Sequence, residues 1–196
     1  MHAYVDQTNP ELHQVSGQGD AETREKRKVY GAFNEGIAYW GGYECELSAG
    51  LPDAFHLARH KSHYIGDLAK GVIVDTAIDD AFSRLETDSV NDLNLRLDEY
   101  TPFNLFRLGV DQNRRLAEGE NLLLSRERII ISEPQMYILG AYLGYHFVNE
   151  TMVGLRQEGK SKAEALNLLI NNPPDTLTKL NNPYPYISDL PSTPRV

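Results

Sequence analysis

The sequence predicts a mostly α fold, a single-domain orthogonal helical bundle around one long central helix, with room for a minor β-hairpin. Three observations carry this. From Ser132 to Glu158 apolar residues recur on nearly every face with no proline after Pro134, as a buried helix requires. Val29, Phe33, Ile37 and Trp40 fall at spacings of four, four and three, the stripe of an amphipathic helix. Paired start signals, Ser132 with Gln135 and Ser161 with Glu164, have the spacing of a capping box.

The chain has 196 residues, 41% hydrophobic and 24% charged, enough for one ordinary core. Residues 1–21 have no sustained period and read as a flexible arm; 22–171 read as the helical domain; 172–196 hold six of the ten prolines and read as an extended strap. Within the domain the first helix is expected to stop at Gly41-Gly42, leaving Tyr43 to Pro52 as a turn-rich connector. Asp53 to Glu86 keeps a roughly helical period through Gly71, although Val72-Ile73-Val74 also suits a short strand. Asp88 to Tyr100 favours a helix. Thr101-Pro102 opens another that Gly119 closes. Leu122-Leu123-Leu124 and Ile129-Ile130-Ile131 flank four polar residues and read as the hairpin or as one extended lead into the central helix. There Gly140 and Gly144 mark the expected closest approach of a second helix.

Composition also narrows function. The formal charge is −9, and eight acidic residues face only Arg84 and Arg96 between Asp75 and Glu99. No basic face suits nucleic acid, and no apolar run reaches the ~18–20 residues of a membrane span. With no secretory leader and a single cysteine, a cytoplasmic address is expected. Cys45 lies between Glu44 and Glu46, carboxylates that disfavour a reactive thiolate. Gly66 to Gly71 echoes a phosphate loop but lacks the Gly-Lys-Ser/Thr ending, so a nucleotide site is not expected.

Two constellations point to function. Asp79, Asp80, Asp88 and Asp92 form an acidic stretch suited to docking a basic protein partner, which makes a protein-interaction module (inhibitor, immunity-type antidote, adaptor or effector) the first expectation. His56, His60, His63 and Asp67, spaced four, three and four, make a stripe on one helix face. Neutral imidazoles with carboxylates are ligands for zinc or iron. Because a stripe rises 1.5 Å per residue, four such groups do not reach one ion, and His146 and Glu150 from the central helix are the expected completion. That alternative is a metal-dependent helical enzyme, a hydrolase or oxygenase. Trp40, Tyr137, Tyr142 and Tyr145 suggest a third role, lining a small apolar ligand between helices.

Overall fold

A computed structural model describes residues 21–50, 52–83, 99–124 and 129–191, with the side chains of residues 21, 52–62 and 81–83 outside that description. Seven helices and no strand occur among the described residues: α1 (Ala21–Ser48), α2 (Pro52–Ser83), α3 (Pro102–Ala117), α4 (Glu133–Gln157), α5 (Lys162–Asn171), α6 (Leu177–Asn181) and α7 (Pro183–Asp189). The class is mostly α, a helical bundle. None of the described helices is long and apolar enough to cross a membrane.

Local signals set most of the starts. Thr101 Oγ1 accepts from the Asn104 N–H at 3.1 Å and Pro102 occupies the first turn of α3, where its missing N–H costs nothing. Gln135 Oε1 accepts from the Ser132 N–H at 2.9 Å while Ser132 Oγ accepts from the Gln135 N–H at 3.4 Å. The same reciprocal box opens α5 at Ser161 and Glu164. Gly119 and Gly159, with φ of 88° and 87°, follow the ends of α3 and α4 in the left-handed region that glycine adopts without strain.

Three expectations change. The first helix runs through Gly41-Gly42 to Ser48, and Gly50, with φ 62°, follows its end. Trp40 and Gly41 are buried, and packing there outweighs the ~1 kcal/mol that each mid-helix glycine costs relative to alanine. Cys45 is therefore an exposed helical residue, not part of a connector. As the period through Gly71 predicts, Val72-Ile73-Val74 is helical throughout and the alternative of a short strand falls away. Leu122 to Leu124 form a turn, closed by Leu124 N–H to the Asn121 carbonyl at 3.0 Å, in place of a hairpin strand. The strap contains two short helices, because Pro183 and Pro185 fall within the first turn of α7, where helix N–H groups have no internal acceptor. Residues 1–20 and 192–196, and the Asp88 to Asp98 part of an expected helix, lie outside the described residues.

The chain divides into two compact units, Met1–Ser62 with Gly140–Val196, and His63–Leu139. In the first, α1 buries Val29, Ala32, Phe33, Gly36, Ile37, Trp40 and Gly41 along one face. The α1 and α4 backbones touch where Gly36 meets Gly144: a Cβ on Gly144 would lie 1.8 Å from the Ala32 carbonyl oxygen, and one on Gly36 2.1 Å from the Gly144 carbonyl carbon. Phe33 sits edge-on to Phe147 at 6.2 Å, and Phe147 edge-on to Tyr186 of α7 at 5.0 Å. The Tyr186 hydroxyl donates to the Asn172 carbonyl, tying α7 to the end of α5. Burial, with the nearby Asp175 carboxylate, pushes the Tyr186 phenol above its ordinary range.

In the second unit, the core is built from Ile65, Ala69, Val72 and Ala77 of α2, Leu105, Phe106 and Val110 of α3, and Ile131, Met136 and Leu139 at the entry to α4. Buried Gln112 bridges to the segment entering α4. Its Nε2 donates to the Ile129 carbonyl at 2.5 Å and its Oε1 accepts from the Ile131 N–H at 2.9 Å.

Candidate functional site

The second half of α2 separates sharply into two sides. Ile65, Ala69, Val72, Thr76, Ala77 and Asp80 face inward, each 5% exposed or less. His63, Tyr64, Asp67, Lys70, Gly71, Val74, Asp75 and Asp79 are exposed. These exposed positions recur at helical spacing, so they share one side of the rod. Two are large apolar residues in water, Tyr64 at 62% and Val74 at 42% exposure. Gly71 between them has no atom within 4 Å of where a Cβ would stand, leaving a shallow notch. Among the described residues the carboxylates of Asp67, Asp75 and Asp79 border this surface, and Lys70 pairs with Asp67 at 3.7 Å. A pair that exposed contributes little to stability.

The four expected docking aspartates separate. Asp79 is exposed, but Asp80 is 1% exposed and accepts the Tyr100 hydroxyl at 2.7 Å. Asp80 thus serves the interior and does not offer its carboxylate to a partner. Asp88 and Asp92 lie outside the described residues. What the sequence missed was Tyr64 and Val74. The available signal was Tyr64 standing three residues before Asp67 inside a polar stripe, where an aromatic has no core to join.

The expected metal ligands are also distributed. His56, His60, His63 and Asp67 all fall in α2, with the side chains of His56 and His60 outside the described residues. His63 and Asp67 are exposed. His146 and Glu150, the expected completion of the site, are exposed residues of α4. The His146 ring leans on Tyr142 at 4.4 Å and on Tyr145 at 5.7 Å. Partial desolvation among these rings pushes its imidazole below the ordinary value, with Glu150 pulling the other way. Among the described residues no group of three or more His, Cys, Asp or Glu comes together as a metal site would need. Tyr137 is 53% exposed.

Comparison with protein-family models, with curated proteins and with solved structures finds no match for this chain.

Proposed function

We propose that the protein is an interaction module that docks a basic protein partner on the exposed side of α2 between His63 and Asp79. The observation that supports this reading is the pairing, on one uncovered helix face, of Tyr64 and Val74 with Asp67, Asp75 and Asp79. Exposed aromatic anchors supply most of the affinity in such contacts. Carboxylates at the border act on encounter rate and orientation. A partner presenting an apolar ridge flanked by Lys or Arg complements both features.

The test is capture from the native host. Tyr64→Ala should weaken partner retention by roughly tenfold or more, the scale of a lost aromatic anchor. Asp75→Lys with Asp79→Lys should slow association and reduce its dependence on salt, since exposed charges are screened within ~8 Å at physiological ionic strength. Retention unchanged in both variants would remove this face from the reading. Stoichiometric metal in protein purified without a histidine tag would favour the enzyme alternative instead.

A further inference from the structure

The last turns of α1 and the start of α5 enclose an open groove of 450 Å³, within the size range of small-molecule sites. It exists because α1 continues past Gly41-Gly42: positions 40, 44, 45 and 48 then share one side of the helix and meet Lys162 and Leu166 across the gap. Trp40, 4% exposed, forms part of an otherwise apolar wall with Leu166 and Ala49, while Gly41 adds no side chain to it. The charged element is one ion pair, in which the Lys162 ammonium bonds the Glu44 carboxylate. The same ammonium stands 5.6 Å from the centre of the Trp40 ring.

We infer that this groove is a binding site for a small aromatic carboxylate. The exposed edge of Trp40 and Leu166 receive the ring of the ligand by apolar contact. Lys162 receives its carboxylate, which takes the place of Glu44 as partner of the ammonium. One feature sets the sign of the charge. Lys162 is the more exposed member of the pair, 43% against 27% for Glu44, so an arriving ligand meets the ammonium first. A cationic ligand would meet that exposed ammonium first and be repelled by it.

The chain has a single tryptophan and a single cysteine, and both line the groove, so each is a direct reporter. The experiment compares three probes of one shape on the intact protein: phenylbutyrate, phenylbutanol and phenylbutylamine. Phenylbutyrate should change Trp40 emission saturably and protect Cys45 from a thiol-specific disulfide reagent, with phenylbutanol weaker and phenylbutylamine weakest. Lys162→Gln should weaken phenylbutyrate by roughly tenfold, the scale of one charge-assisted hydrogen bond, and leave phenylbutanol unchanged. No saturable change in Trp40 emission would overturn the inference. So would an alcohol or amine that matches the carboxylate, a comparison that requires no variant to fold. The α2 face shares no residue with this groove, so either proposal can fail alone.

Discussion

Where α1 crosses α4, Gly36 and Gly144 bring two backbones into contact with no side chain between them, whereas in the other unit Gly109 of α3 leaves its space to the side chain of Met136. The buried polar groups follow the same division. In the His63–Leu139 unit Thr76, Asp80 and Gln112 each have a hydrogen-bond partner, from Val72, Tyr100 and the Ile129–Ile131 segment respectively. In the unit of the glycine crossing Thr151, fully buried, has a hydroxyl with no partner among the described residues. The α1–α4 crossing of the first unit is therefore fastened by close apolar and aromatic contact, with polar bonds such as Tyr186 to Asn172 at its margin, whereas the core of the other unit adds directional polar bonds to its contacts. Apolar packing is specified by volume, polar pinning by geometry, and the two respond differently to the same kind of substitution.

The glycines separate these responses most strongly. Gly144→Ala puts a methyl group 1.8 Å from the Ala32 carbonyl oxygen, and backbone cannot turn aside as a side chain can. We expect a loss of about 3 kcal/mol, or failure to fold, despite alanine's better helix propensity. Gly109→Ala meets the Met136 sulfur at 2.0 Å, the far part of a flexible side chain that can move. Here the strain and the propensity gain nearly offset, and the net change should stay below about 1 kcal/mol. Urea midpoints of the two variants check the contrast, which equal losses would break.

Polar pinning is tested by removing one partner of a satisfied pair. Gln112→Leu leaves the Ile131 N–H and the Ile129 carbonyl to find new partners and should cost about 1–3 kcal/mol. Tyr100→Phe strips one donor from the buried Asp80 carboxylate and should fall in the same range. The opposite is expected of Thr151→Val, which replaces an unpartnered hydroxyl by a methyl group of similar shape. It should raise stability, by about 1 kcal/mol, and a loss would show that the hydroxyl has an acceptor after all.

What the sequence revealed follows the range of the interactions. The starts of α3, α4 and α5 depend on residues close in sequence, Thr101 before Pro102, Ser132 with Gln135 and Ser161 with Glu164, and all three were legible. Gly144 was legible as a close approach because a glycine inside an apolar helix leaves a gap that packing must fill. Its counterpart on α1 was not, since Gly36 carries no local sign of what lies opposite. Asp80 looked like surface because its partner, Tyr100, stands twenty residues away. The continuation of α1 past Gly41-Gly42 and the folding of the proline-rich tail into α6 and α7 depend on burial of Trp40, Tyr186 and Ile187, which propensity does not record. The groove joins Trp40 to Lys162, a pairing with no trace in sequence spacing.

The smallest expected effect belongs to His146, whose ring rests on Tyr142 and Tyr145 at the surface of the glycine-crossed unit. Desolvation holds its imidazole below the ordinary 6.5, only partly opposed by Glu150. In the interval between the folded and ordinary values the unfolded chain binds a proton that the folded chain refuses, so stability rises with pH there. The contribution is present in full above the unfolded value and is lost as pH falls through the folded one. His146→Phe keeps a ring against both tyrosines and removes the titration. The wild-type urea midpoint should fall between about pH 7 and pH 5.5, above the range where ordinary carboxylates protonate, and the variant should fall less. The difference should be small, because the ring is open to solvent on one side and its interactions are screened. Parallel slopes in the two proteins would show that the ring contacts with Tyr142 and Tyr145 do not desolvate the imidazole enough to matter for folding.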